Sequence, residues 1–132
     1  MWYRSLMTIK SIVCLFLGIP ILFAPKTLYG LFDAELGTSG SFAAQEYAAA
    51  MLGLMLLTWF ARNAGPSAAR HAIILGLFVY DALGVIITLI AIFVGVMNGL
   101  GWLVVVVYLF FAVGFGSLLT AKANDKNTPL AA

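Results

Sequence analysis

Long runs of apolar residues, separated by short polar breaks, make up most of the chain. Four of these runs predict helices that cross a membrane, at residues 5–24, 42–61, 71–96 and 100–121. About 20 apolar residues in helical form are needed to cross the roughly 30 Å hydrocarbon core of a bilayer. The breaks contain the Pro, Gly and charged residues typical of loops. We therefore expect an all-α fold, an integral membrane four-helix bundle, formed by a single domain over residues 1–132.

The polar breaks also predict how the helices are connected. The stretch "RNAGPSAAR" places Ser67 where a helix N-cap is expected. The stretch "MNGLG" is so short that the third and fourth spans must form a tight antiparallel hairpin. The longest break contains "TLYGLF", which we expect to lie on the outer surface as a short amphipathic turn.

The composition supports a membrane location. The chain is 64% hydrophobic and only 9% charged, whereas a soluble domain carries about 25% charged residues. Such a chain cannot cover itself with a polar surface, so the excess apolar surface must face lipid. A net charge of +2 without a long basic run gives no support for nucleic-acid binding. The basic, apolar N-terminal segment lacks the small residues of a signal-peptidase site, so we interpret it as an uncleaved first span.

The distribution of basic residues predicts the orientation. Basic residues are enriched in the cytoplasmic segments of membrane proteins. One basic residue, Lys26, falls on the side away from the termini. The side shared by the termini and the middle loop carries six: Arg4, Lys10, Arg62, Arg70, Lys122 and Lys126. We therefore expect both the N- and the C-terminus to be cytoplasmic.

Each predicted span has one stripe of small or polar residues at helical spacing. In a bilayer such residues let helices approach closely. We expect these stripes to face the inside of the bundle and the larger apolar residues to face lipid. The stripes are Lys10, Cys14 and Gly18; Glu46, Ala50 and Gly53; Asp81, Gly84, Thr88, Ala91 and Gly95; and Ala112, Gly116 and Thr120.

Asp81 is the most unusual residue in the sequence, because it lies near the middle of an apolar span. An aspartate at that depth costs roughly 2.5–3.5 kcal/mol on insertion scales. It should therefore be protonated or paired, and Lys10 is the best candidate partner. In one interpretation this ion pair fastens the first helix to the third. In the other, Asp81 belongs to a proton or cation site that Thr88 and Tyr80 also line.

The other chemically versatile residues give weaker signals. Glu46 is either a solvated carboxylate near a helix N-terminus or an acid at the mouth of a cavity. His71 is either an interfacial polar residue or a single ligand to a haem or chlorin. Cys14 is expected to be a packing residue. The sequence contains no phosphate loop, nucleophile elbow or carboxylate–histidine metal site, so we predict neither an enzyme nor a metal centre.

Three stretches carry a resemblance to a known group of proteins. They are "LFAPKTLYGLFDAELGTSG", "AAAMLGLMLLTWFARNAGPSAARHAIILGLFVYDALG" and "MNGLGWLVVVVYLFFAVGFG". Together they resemble a widespread group of small bacterial four-span proteins of unknown function, loosely DoxX-like. The resemblance implies a fold and a location in the bacterial inner membrane, and no site residue. Small multidrug-resistance transporters have a similar length, but they place an essential glutamate in the first span, where this chain has Lys10 and no acid.

The function predicted from these patterns is that of an accessory or assembly subunit of a larger membrane complex, or of a homo-oligomer, acting through helix–helix packing. Its partners would be membrane lipid and other membrane-protein subunits. One alternative is a minimal ion or small-molecule transporter that uses Asp81 and Glu46. Another is a module that binds a quinone, pigment or lipid, because 14% of the residues are aromatic. The sequence identifies no cofactor.

Overall fold

The computed structural model describes residues 2–124, with side chains as far as Ala121, and the regular structure over this part of the chain is entirely helical. The elements are α1 (Trp2–Phe23), α2 (Pro25–Gly30), α3 (Thr38–Ala61), α4 (Ala68–Phe93) and α5 (Gly101–Asn124). The all-α prediction is therefore confirmed, and α2 overlaps the predicted amphipathic turn at residues 27–30. Lys126 and the side chain of Lys122 lie outside the described residues.

Within residues 2–124, three helices are long and apolar enough to cross a membrane: α1, α4 and residues 101–121 of α5. The protein is accordingly a membrane protein. The second predicted span, residues 42–61, does form a helix, α3, but α3 is not among these three candidates. The first half of α3 contains polar residues, including Gln45 and Glu46, and these lower its mean hydropathy.

The ends of α4 show how local sequence sets the helix boundaries. Ser67 is the N-cap, and its hydroxyl accepts a hydrogen bond from the Arg70 N–H at 3.1 Å. At the other end, α4 stops at Phe93, and Gly95 follows with a positive φ of 82°. The prediction that Gly95 packs within the bundle is therefore wrong. Gly95 is exposed in the turn before α5, where glycine supplies a left-handed backbone without steric cost.

The long helices form two pairs. α1 packs along α3, α4 packs along α5, and α1 makes a smaller contact with α5. The loop after α4 contacts the loop after α2, because the Asn98 N–H donates to the Phe32 carbonyl at 2.9 Å. We call the end of the molecule that carries α2 and these loops the α2 end. The opposite end, which carries the N-terminus of α1 and the loop between α3 and α4, is the terminal end.

Two apolar clusters fill the interior. The cluster between α1 and α3 consists of Cys14, Ile21, Ala44, Ala48 and Met51. The cluster that joins α1 to α4 and α5 lies toward the terminal end and consists of Tyr3, Leu6, Met7, Ile74, Leu77, Phe111 and Phe115. The second cluster consists mainly of large side chains. The two helix pairs are therefore held together by interdigitated side chains and not by close approach of their backbones.

The buried face of α3 differs from the predicted one. Ala44, Ala48 and Met51 face α1, whereas Glu46, Ala50 and Gly53 are exposed. A Cβ added at Gly53 would meet no atom within 4 Å, so this glycine makes no close helix contact. The prediction fails because α3 carries small residues around most of its circumference, and a small-residue stripe therefore does not distinguish its faces.

The predicted close packing of α4 on α5 is present. A Cβ added at Gly84 would lie 2.5 Å from ring carbons of Tyr108, and one at Gly116 would lie 3.2 Å from Phe78. Ala112 is buried on the same helix as Gly116. These small residues let aromatic rings of the neighbouring helix lie directly on the backbone.

We expect Gly84→Ala to destabilise the protein, because the new methyl group would collide with the ring of Tyr108. Overpacking costs about 1–3 kcal/mol, which exceeds the roughly 1 kcal/mol that alanine gains over glycine in a helix. Heating in detergent while following the helical circular-dichroism signal measures the effect. Gly76→Ala is the matched control, because it lies on the same helix with no atom within 4 Å of the added Cβ. Equal melting temperatures for the two variants would contradict the prediction.

Candidate functional site

A buried ion pair links the two helix pairs. Lys10 of α1 donates a hydrogen bond from Nζ to Oδ1 of Asp81 on α4, as the sequence predicts. Lys10 is 3% exposed and Asp81 is fully buried. Breaking a buried pair by removing one partner is strongly destabilising, because the remaining charge is left uncompensated. The pair therefore ties the two halves of the molecule together.

Aromatic rings surround the rest of the Lys10 ammonium group. Its Nζ lies 4.4 Å from the centroid of the Phe111 ring and 4.8 Å from the centroid of the Tyr80 ring. Ring faces attract a cation, most strongly where water is excluded. Lys10 is thus held by one carboxylate oxygen and two ring faces, supplied by α4 and α5.

The carboxylate of Asp81 is only half satisfied. Oδ1 accepts the hydrogen bond from Lys10, while Oδ2 is buried and has no hydrogen-bond partner among the described residues. A buried acceptor without a donor costs about 1–3 kcal/mol, and more when it is charged. Oδ2 is therefore a strong acceptor that the ion pair leaves unused.

Three tyrosine hydroxyls, from α3, α4 and α5, meet in the interior. The Tyr47 hydroxyl of α3 lies 2.8 Å from the Tyr80 hydroxyl of α4, and it is also hydrogen bonded to the Tyr108 hydroxyl of α5. We call Tyr47, Tyr80 and Tyr108 the tyrosine triad. Tyr47 is its central member, because it joins the other two. Within the triad the hydroxyl groups hydrogen bond to one another, whereas hydrocarbon would offer them no hydrogen-bond partner.

The sequence interpretation included Tyr80 and missed Tyr47 and Tyr108. All three lie inside apolar helices, several residues from the helix ends. A tyrosine at such a position requires a hydrogen-bond partner, and that requirement was the available signal. Which tyrosines hydrogen bond to each other depends on the relative rotation of three helices, and that rotation cannot be determined from a single sequence.

Tyr29 lies near Tyr108 on the side of the triad toward the α2 end, and among the described residues no hydrogen bond joins the two hydroxyl groups. It belongs to α2, outside the spanning helices, and it is half-buried. Burial raises the pKa of the Tyr29 phenol above its ordinary value, and the nearby Tyr108 raises it further.

The remaining predicted site residues do not all gather here. Thr88 is buried on α4, further toward the α2 end than Asp81. Glu46 is exposed on the outward face of α3, which agrees with its interpretation as a solvated carboxylate and not with an acid at the mouth of a cavity. The reason is its register, since Tyr47 rather than Glu46 points toward α4. Its neighbour Gln45 instead donates to the Leu22 carbonyl of α1 at 3.0 Å.

Cys14 and His71 occupy different surroundings. Cys14 lies one turn after Lys10 and is buried. It is close to the charged groups of both Lys10 and Asp81. His71 is half-buried in the first turn of α4, at the terminal end. Within residues 2–124, no three His, Cys, Asp or Glu side chains come together as a metal-binding group.

We expect Lys10→Met to destabilise the protein by about 3–5 kcal/mol, because it leaves Asp81 buried without its counter-charge. The double variant Lys10→Met/Asp81→Leu should regain most of that loss, since well-packed apolar residues often replace a buried ion pair at little or no cost. Thermal unfolding in detergent measures both variants. A double variant as unstable as Lys10→Met alone would show that the two side chains do not depend on each other.

The site stands on its geometry alone. Comparisons with protein-family models, with curated proteins and with solved structures each found no match. The resemblance to small DoxX-like four-span proteins therefore stays a prediction.

Proposed function

We propose that this protein is an accessory subunit of a larger assembly in the bacterial inner membrane and acts by helix–helix contact. The observation that carries the proposal is an apolar groove on the outside of the bundle. The groove lies between the start of α1 and the outward face of α5. It is lined by Trp2, Val106, Leu109, Phe110, Val113, Gly114 and Ser117.

The polar groups of the groove are already satisfied by one another. The Ser117 hydroxyl donates to the Gly114 carbonyl at 2.7 Å and accepts from the Trp2 indole N–H at 3.3 Å. An apolar helix can therefore occupy the groove without leaving these groups unpaired. Gly114 is buried against Leu6 of α1, so the absence of a side chain there lets α1 lie close to α5 beside the groove. Small residues at such contacts are typical of helix–helix packing in membranes.

The groove is shallow and open, and its lining is almost wholly apolar. In a two-fold symmetric dimer the same patch would face itself, whereas a helix from another subunit can lie along it with bulky apolar side chains on one face. We propose the second kind of occupant, and the purification described below distinguishes the two.

The ionic groups inside the bundle are not available to such a partner. Lys10 and Asp81 are paired in the interior, whereas the outward faces of α4 and α5 are apolar. Recognition by shape and apolar contact therefore suits this surface better than recognition by charge. The same pairing argues against a freely accessible acidic site for a transported cation.

The proposal includes four spans with both termini in the cytoplasm. α3 has 24 residues, about 36 Å at 1.5 Å per residue, which is enough to cross the hydrocarbon core. It packs along α1, so the two helices extend over the same depth. Arg4, Arg62 and Arg70 are at the terminal end, and Lys26 is at the α2 end, which favours a cytoplasmic terminal end.

We expect a cysteine at Thr27 to react with a membrane-impermeant maleimide in intact cells, and one at Asn63 to react only after the cells are permeabilised. Both positions are exposed, in α2 and in the loop after α3 respectively. The background is Cys14→Ala, which removes the one native thiol. Reaction of both cysteines, or of Asn63→Cys alone, in intact cells would contradict the proposed orientation.

The proposed function is tested by purification in mild detergent from native membranes, followed by native mass spectrometry. We expect the wild-type chain to be recovered with a larger membrane protein. Val113→Trp should abolish this recovery by blocking the groove. Ile87→Trp is the matched control, because Ile87 is 65% exposed on α4 and Val113 is 63% exposed on α5.

Loss of the larger protein with Val113→Trp and its retention with Ile87→Trp would support the proposal. Equal behaviour of the two variants would exclude the groove as the contact surface. Masses that are only multiples of the 14.1 kDa chain would identify a homo-oligomer or a monomer and overturn the accessory role.

A further inference from the structure

The terminal end of the molecule carries basic side chains and, over the described residues, no acidic ones. Arg4 lies in the first turn of α1, Arg62 directly after α3, and Arg70 in the first turn of α4. The acidic residues within 2–124 lie toward the α2 end or in the interior: Asp33, Glu35, Glu46 and Asp81. Over this part of the chain the terminal end is therefore positively charged, with no carboxylate of its own to neutralise it.

Two of these arginines are held in place by aromatic rings. The Arg62 guanidinium lies 3.8 Å from the centroid of the Trp59 ring, and one of its N–H groups donates to the Trp59 carbonyl. The Arg70 guanidinium lies 3.7 Å from the centroid of the Tyr3 ring of α1 and donates to the Ala64 carbonyl at 2.9 Å. Because each side chain is already fixed, less conformational entropy is lost when it binds an anion.

Arg62 and Arg70 flank one short loop, between α3 and α4. Arg62 precedes Ala64 by two residues, so their Cα atoms are at most about 7.6 Å apart, and Arg70 reaches the carbonyl of the same Ala64. A guanidinium has five N–H donors. Each arginine uses one on a backbone carbonyl, and no carboxylate of the described residues binds the others. Their planar pairs of N–H groups match the oxygens of a phosphate.

The surface beside Arg62 is apolar and exposed. Leu56, Trp59 and Phe60 lie in the last two turns of α3, and Phe60 is 76% exposed. An anion that carries an acyl chain can place the chain against this surface and its phosphate at the loop. A soluble anion would gain only the polar contact, so the combination favours an amphiphile.

We propose that the loop between α3 and α4 binds the phosphate of an anionic phospholipid through Arg62 and Arg70, with an acyl chain along Leu56 and Phe60. A zwitterionic lipid fits less well, because its ammonium group would be added to an end that is already positive. The proposal goes beyond the accessory role. It depends neither on a partner protein nor on which side of the membrane the terminal end faces.

The bound phosphate would stabilise a junction of three helices. Tyr3 of α1 stacks on Arg70 of α4, and its hydroxyl donates to the Ala61 carbonyl at the end of α3 at 2.7 Å. A phosphate on Arg70 therefore holds a side chain on which contacts among α1, α3 and α4 converge. A ligand that binds only the folded protein raises its melting temperature.

The proposal is tested with the purified full-length chain in a nonionic detergent, to which phosphatidylglycerol or phosphatidylcholine with the same acyl chains is added. Native mass spectrometry measures bound lipid, and circular dichroism measures the melting temperature. We expect phosphatidylglycerol to bind about tenfold more tightly and to raise the melting temperature more. Arg62→Gln should weaken phosphatidylglycerol binding about tenfold, which corresponds to about 1.4 kcal/mol, and leave phosphatidylcholine binding unchanged.

Arg4→Gln is the matched control. It removes the same charge from the same end, but Arg4 is exposed and does not stack on a ring of the described residues. Its affinity for phosphatidylglycerol should stay within about twofold of the wild type, against the tenfold loss expected of Arg62→Gln. If Arg62→Gln fails to fold, Arg62→Lys takes its place, because it keeps the charge and loses the planar pair of donors.

Equal binding of the two lipids by the wild-type chain would overturn the proposal. Equal weakening in Arg4→Gln and in the Arg62 variant would also overturn it, because charge alone would then account for the binding. Inorganic phosphate or a glutamate peptide that raised the melting temperature as much as phosphatidylglycerol would identify a site for soluble anions and not for lipid.

Discussion

The contact between Lys10 and Asp81 is the interaction on which the arrangement of this bundle depends. α1 with α3 and α4 with α5 form two pairs whose members lie close together, while large side chains separate one pair from the other. Across that wider separation a long lysine stem reaches a short carboxylate. Such a bond fixes the rotation and the depth of α1 relative to α4, because both groups are buried and neither finds an alternative partner in hydrocarbon.

The rest of the interior is organised around the same constraint. Gly84 lets the Tyr108 ring lie on the backbone of α4, one turn from Asp81, and this places the Tyr108 hydroxyl within reach of Tyr47. Close packing and polar satisfaction are thus achieved by the same residues. This is important in a lipid environment, because backbone and hydroxyl groups there have no water with which to form hydrogen bonds.

The sequence predicted the parts of this structure that depend on rare residues. Asp81 and Lys10 are the charged residues deepest in their spans, so their pairing followed from the cost of leaving either alone. The buried face of α3 was not predictable in that way, because alanine and glycine occur around most of the helix. Gly95 was placed in the third span because it continues the helical spacing of small residues from Asp81, yet α4 ends at Phe93 and Gly95 has a positive φ. Tyr47 and Tyr108 were missed because their hydroxyls are brought together only by helix rotation.

The separation of 71 residues between Lys10 and Asp81 has a consequence for biosynthesis. Chains enter the membrane from the N-terminus, so α1 is inserted well before α4 has been made. During that interval Lys10 has no carboxylate to meet, and its flexible side chain must extend toward the nearer headgroups. α1 meets α3, its main packing partner, before α4 is made, so the burial of Lys10 is a later event than the packing of the helix that carries it.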